Sequence, residues 1–178
     1  MGTLNLVLYQ PEIPQNTGNI MRTCVATNTV LHLIEPLGFS LEEKDIKRSG
    51  ANYVKDVKYI RYKDWDEFLS RNKGKMYFLT RYGLHNLYDV HVEDPKEDYY
   101  FVLGKESSGI PKEILQDNLE NCIRLPMTDK VRALNVSNCA AIIVYEALRQ
   151  QGFPNLYEFE PDTSNELHFK GKNFLLED

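Results

Sequence analysis

Three short polar segments hold most of the residues able to do chemistry. In the first, Asn16, Asn19 and Arg22 recur at spacings of three, so a helix carries them on one face. Ile20, Met21, Cys24 and Val25 form the apolar side that leaves this face looking outward. Two amides and a guanidinium so grouped suit a phosphate or a ribose, an ordinary solvated helix face being the alternative. The second segment is Gly104-Lys105-Glu106-Ser107-Ser108-Gly109-Ile110-Pro111. Gly104 lets a ligand approach the backbone, Gly109 permits an unusual turn, and Glu106 faces the same cleft. In the third, Asn135, Ser137 and Asn138 are good cap residues just ahead of an apolar helix over residues 139–150. Unpaired N–H groups and a helix dipole there can hold a small polar or anionic ligand, unless the segment is simply a cap.

What these segments lack narrows the chemistry. The second is not Gly-x-Gly-x-x-Gly, a Walker loop or a Gly-x-Ser-x-Gly elbow, which removes the common dinucleotide, NTPase and esterase readings. The third has no His or acidic partner at motif spacing, so a nucleophile triad is unsupported. His32, His85, His91 and His168 show no ligand spacing, and no metal is expected. Cys24, Cys122 and Cys139 are odd in number and far apart, which suits reduced thiols in a cytoplasm. A cleft of backbone amides, glycine and short polar side chains suits binding and positioning rather than covalent catalysis.

Such loops need a scaffold, and the hydrophobic pattern supplies one. Strands are expected over residues 4–9, 30–34, 57–60, 76–80, 99–103 and 123–125. Helices are expected over 16–28, from the Ser40/Glu43 capping box to near Gly50, over 65–72 under Asp64 and Glu67, and from Pro111 through Asp117. The alternation implies an α/β sandwich with a mainly parallel sheet, which binds ligands at the carboxyl ends of its strands. One domain over residues 1–151 is expected, with 152–178 an appendage of unassigned role carrying Phe153, Tyr157, Phe159, Phe169 and Phe174. At 42% hydrophobic and 26% charged, the 178 residues match an ordinary soluble protein. No run nears the roughly 18 apolar residues of a membrane span, and the start of the chain has no export signal. A net charge of −5 counts against nucleic acid globally, although Lys44, Lys47, Arg48, Lys55, Lys58, Arg61 and Lys63 fall in one stretch. That stretch is either a basic face or a solvated surface.

Taken together, the three segments resemble the motifs of the SPOUT methyltransferases, the α/β-knot family. Asn16-Thr17-Gly18-Asn19-Ile20-Met21-Arg22 looks like the first motif and Leu103-Gly104-Lys105-Glu106-Ser107-Ser108-Gly109 like the second. Ile123-Arg124-Leu125-Pro126-Met127 with Leu134-Asn135-Val136-Ser137-Asn138 looks like the third. Order and spacing agree from Leu4 to Gln150. Within the family, Val7 to Pro14, Ile34 to Phe39 and Val144 to Ala147 are most similar to the small members that methylate the ribose 2′-hydroxyl of the wobble pyrimidine, position 34, in tRNA. The same chemistry on ribosomal RNA, or a silent RNA-binding module of this fold, are the alternatives.

The resemblance implies S-adenosylmethionine as cofactor, a three-layer sandwich with a C-terminal trefoil knot, and a homodimer acting on tRNA. It assigns Leu79, Thr80, Gly104, Leu125, Met127, Ala133 and Ser137 to the cofactor pocket. Asn16, Asn19, Arg22, Glu106 and Asn135 are assigned to the catalytic, ribose-and-phosphate side, with Arg22 approaching a cofactor held by the partner subunit. A guanidinium stays protonated, so Arg22 is expected to orient phosphate and stabilise charge developing on oxygen. The proton then leaves through substrate phosphate or water. Two departures stand out. Ala133 replaces a frequent serine, and Ser49-Gly50-Ala51-Asn52-Tyr53 differs from an expected Ala-Gly-Leu-Asp-Tyr.

Overall fold

Leu4–Tyr9 is apolar at nearly every position and buried on both faces, as a strand covered from two sides must be. It is β1, an interior strand of a seven-stranded sheet in the computed structural model, which describes residues 2–41 and 56–157. The other strands are β2 Val30–Ile34, β3 Tyr59–Tyr62, β4 Lys75–Leu79, β5 His85–Asn86, β6 Tyr99–Leu103 and β7 Cys122–Arg124. Their order is β3-β2-β1-β6-β4-β7-β5, and every pairing between them is parallel. The helices are α1 Pro14–Thr27, α2 Trp65–Arg71, α3 Lys112–Gln116 and α4 Val136–Gln151.

Alternation along β1 builds the layers. Leu6 and Leu8 join Ile20 and Met21 of α1 and Ile143 and Val144 of α4 in one core. Val7 turns the other way, into a second core with Phe68 of α2, Phe78 and Val102. The sheet is thus covered on both faces, an α/β sandwich of three layers.

The expected elements form with shifted bounds. The strand expected over 57–60 lies two residues later, and α4 begins at Val136 because Asn135 is its cap. Pro111 stands at the cap of α3 rather than inside its first turn. The two-residue β5 was not expected, being too short to carry a period. The Ser40/Glu43 helix, the Ser49–Tyr53 loop and the tail past Tyr157 lie outside the described residues.

Two registers matter for the site. Leu8 pairs with Leu103, so the loops leaving β1 and β6 emerge side by side. Leu79 of β4 and His85 of β5 both pair with Ile123, so the turn joining β4 to β5 straddles β7.

Buried His32 packs the second core and is held as a neutral ring. Asn5 donates its amide to Thr3 and to the Tyr99 carbonyl, which leaves its Oδ1 to accept from His32 Nε2 at 3.0 Å. His32 Nδ1 then accepts from the Tyr62 hydroxyl at 2.8 Å. Burial, with Arg71 adding to it, lowers the ring's pKa to about 4. Between the usual histidine value and about 4, the unfolded chain binds a proton that the folded chain refuses. Stability should therefore fall as pH is lowered through that window, by about 3 kcal/mol at about 1.4 kcal/mol per pH unit. Denaturant melts near pH 7 and near pH 4 check this. The fall should shrink by that amount in His32→Gln.

Candidate active site

At the carboxyl end of β1 the chain enters α1 through Ile13, a cap residue whose side chain accepts nothing. The helix starts two residues before the expected Asn16, so Asn16 and Thr17 sit inside its first turn. The end of the helix is served by a distant loop. Glu106 Oε2 accepts from the Glu12 amide at 2.8 Å. Its Oε1 accepts from the Ile13 amide at 3.2 Å and from Asn16 Nδ2 at 3.0 Å. Glu12 reciprocates, accepting from the Ser107 amide and from Ser107 Oγ, each at 2.9 Å. The Ser107 hydroxyl, then its amide, hold the Glu12 carboxyl below the usual carboxylate range.

Asn16 carries the link onward. Its Oδ1 accepts from Asn135 Nδ2 at 2.9 Å. Asn135 Oδ1 in turn accepts from the Ser137 amide at 2.8 Å and from Ser137 Oγ at 2.6 Å, capping α4. Glu106, Asn16, Asn135 and Ser137 thereby join all three polar segments in one hydrogen-bonded chain.

A cleft of about 720 Å³ opens beside this chain. Leu79, Thr80, Gly104, Leu125, Met127 and Ala133 line it, as do Asn16, Glu106 and Asn135. Ser137 is buried and does not line it. Asn19 and Arg22 lie farther along α1, exposed, and are not brought into the cleft of their own chain.

The cleft can bind a mixed apolar and polar ligand and can hold it still. Leu79, Leu103, Leu125 and Met127 offer apolar surface, and the hairpin after Gly104 exposes backbone. That hairpin is closed by Lys105 N to Gly109 O at 3.2 Å and Gly109 N to Lys105 O at 2.9 Å. Gly109 takes a φ of 76°, which its lack of a side chain permits. Among the described residues no histidine lines the cleft, and burial raises the pKa of the Cys139 thiol there, away from thiolate. Nothing here forms a nucleophile and base pair.

Sequence reasoning missed Glu12 and Ser107, whose pairing depends on two loops meeting. The one available signal was an acid fixed between Pro11 and Pro14. Arg81, Tyr82, Arg124 and Arg132 also line the cleft and were not expected there. Glu106→Ala should strip acceptors from two backbone amides and one side-chain amide. The expected loss, read from denaturant melts, is about 1–2 kcal/mol. Glu106→Gln should lose less, because one acceptor oxygen remains.

Comparison with known proteins bears on what this arrangement is for. The model of the SpoU rRNA Methylase family matches residues 3–145. A Listeria monocytogenes protein, provisionally named a tRNA (cytidine(34)-2′-O)-methyltransferase, is 54% identical over 89% of this chain and 94% of its own length. A solved structure from Bacillus anthracis, provisionally described as an RNA methyltransferase, superposes with a TM-score of 0.84 at 50% identity, covering 88% of this chain and 99% of the other. A second, described as giving insights into the 2-OH methylation of C/U34 on tRNA, has a TM-score of 0.78 at 37% identity, with coverage of 85% and 97%. Since the family match runs from the first strand into the helix that closes the cleft, the chain belongs to the SpoU rRNA Methylase family.

Proposed function

We propose that this protein methylates the 2′-hydroxyl of the wobble nucleotide, cytidine or uridine 34, of tRNA, using S-adenosylmethionine. The observation that carries this reading is a positioning cleft whose described lining pairs no nucleophile with a base, in a chain whose near full-length relatives bear that activity in their names. The residues present fit the cofactor. A cavity of about 720 Å³ admits it, the apolar side chains suit an adenine ring, and Gly104, where a Cβ would strike the Gly109 and Ile110 backbone, lets the hairpin beside the cleft close tightly. When bound, S-adenosylmethionine supplies a methyl group already attached to a good leaving group.

The chain's own task is alignment. Leu79, Thr80, Gly104, Leu125, Met127 and Ala133 hold the cofactor, and Ser137 supports them through Asn135. Glu106 and Asn16 spend their hydrogen bonds on one another, on backbone amides and on the Asn135 side chain, so they act by fixing the loops. Arg22 and Asn19 serve a second copy of the chain. Their exposure on α1, outside their own cleft, supports a homodimer in which Arg22 reaches the partner's substrate and stabilises charge on its ribose oxygen. The straddling turn over β7 supports a trefoil knot, with the segment after Ile123 threading the loop between β4 and β5. The boundary between a methyltransferase domain over residues 1–151 and an appendage is set where α4 ends at Gly152, and the first residues beyond it, Phe153 and Leu156, pack on the core. Among the described residues no helix is long and apolar enough to cross a membrane. A tRNA substrate supports a cytoplasmic location.

Incubation with labelled S-adenosylmethionine and bulk tRNA, followed by nucleoside mass spectrometry, tests the reading. A 2′-O-methylated pyrimidine in an anticodon fragment supports it. Label transferred only to ribosomal RNA would replace the substrate, and no cofactor binding would overturn it.

A further inference from the structure

We propose that the turn between β4 and β5 is a stacking platform for a base of the RNA, with Tyr82 beneath the base and Arg124 and Arg132 on nearby phosphates. This rests on the methyltransferase reading above and adds a substrate-binding surface to it. The turn is tightly fixed. Gly83 N donates to Thr80 O at 3.2 Å and Tyr82 N to Thr80 Oγ1 at 3.3 Å. Both shoulders bond to β7, Thr80 N to Ile123 O at 3.0 Å and Leu84 N to Cys122 O at 3.1 Å. Gly83 lies so close to β7 that a Cβ there would stand 2.4 Å from the Ile123 carbonyl carbon. The tip residues, Arg81 and Tyr82, therefore project from a rigid base at the carboxyl end of the sheet.

Tyr82 is 70% exposed, and the Arg81 guanidinium lies 4.9 Å from its ring centroid. An exposed tyrosine alone is ordinary. Here it is pre-oriented, cation-backed and at a binding cleft, which is how single-stranded nucleic acid is held. Charge points the same way. Arg81, Lys105, Arg124 and Arg132 line the cleft against Glu106, whose oxygens are already taken by three donors, in a chain of net charge −5. S-adenosylmethionine is itself a net cation near neutral pH, so this concentration of positive charge is not matched to it. A polyanion is what it attracts.

The test compares wild type, Tyr82→Ala, Tyr82→Phe and Arg124→Ala. Fluorescence anisotropy reads binding of an anticodon stem-loop RNA with cytidine at the wobble position, and calorimetry reads S-adenosylmethionine. Tyr82→Ala should weaken RNA binding about tenfold to a hundredfold, Tyr82→Phe should restore it, and cofactor affinity should hold for both. In turnover, KM for RNA should rise while kcat holds. Arg124→Ala should lower the salt slope of RNA binding by about one. Unchanged RNA affinity in Tyr82→Ala overturns the platform, and so does an equal loss of cofactor affinity, which would put the ring in the cofactor pocket. Wild type that binds the RNA without transferring methyl groups would fail the methyltransferase reading instead, leaving the Tyr82 comparison to decide the platform.

Discussion

Gly104→Ala is expected to weaken S-adenosylmethionine binding about tenfold, and Gly104→Val about a hundredfold, with the fold retained. A Cβ at this position would stand 2.2 Å from the carbonyl carbon of Gly109 and from the amide nitrogen of Ile110. Both are backbone atoms of the facing hairpin arm, held by the paired bonds between Lys105 and Gly109, so neither can swing aside. The added carbon must prise the hairpin open. Overpacking of this kind costs about 1–3 kcal/mol, and each 1.4 kcal/mol is about tenfold in affinity. Sequence alone suggests a simpler cause, a valine filling space meant for ligand. The geometry places the collision within the loop, so even alanine should suffice. Calorimetry with S-adenosylmethionine measures the effect, and circular dichroism melts confirm folding. Unchanged affinity in Gly104→Val would remove this hairpin from the cofactor site.

Arg22→Ala should leave cofactor affinity near the wild-type value and lower kcat by about a hundredfold to a thousandfold, the scale for losing one donor to a developing oxyanion. A guanidinium cannot give up its proton at working pH, so the rate should not acquire the pH dependence of a lost base. Arg22 also lies outside the cleft of its own chain, which makes its effect testable by mixing. Arg22→Ala keeps an intact cofactor cleft, and Gly104→Val keeps an intact Arg22. In a mixed dimer, one of the two shared sites would contain both intact halves. Co-refolded subunits should regain turnover that neither variant has alone. No recovery would place Arg22 in its own chain's site.

The fold was legible wherever period and length agreed. Leu4–Tyr9, apolar but for Asn5, and Tyr99–Leu103 are short apolar runs with turn residues after them, and both formed as read. The helix starts were less legible, because a cap can come from anywhere in space. Asn135 caps α4 through a local bond and could be found from sequence. The end of α1 is served by Glu106, 90 residues from Asn16, and no local pattern reports that. The same limit governs the cleft. Gly104, Leu125 and Met127, which the resemblance assigned to the cofactor, line it, yet Arg81 and Tyr82 enter only because strand register brings their loop there. Asn19 and Arg22 share a helix face with Asn16 by spacing, but Asn16 alone is turned into the network.

The exchange of carboxylates between Glu12 and Glu106 has a consequence for how this region opens. Each loop holds the acceptor that the other needs, so neither can detach without leaving donors of both exposed to solvent. The two should therefore behave as one cooperative unit on the timescale of hydrogen exchange. The amides of Glu12, Ile13 and Ser107 should share a single protection factor although they are far apart in sequence. Glu12→Gln should raise exchange at Glu12 and Ile13, whose own acceptor is untouched, as much as at Ser107.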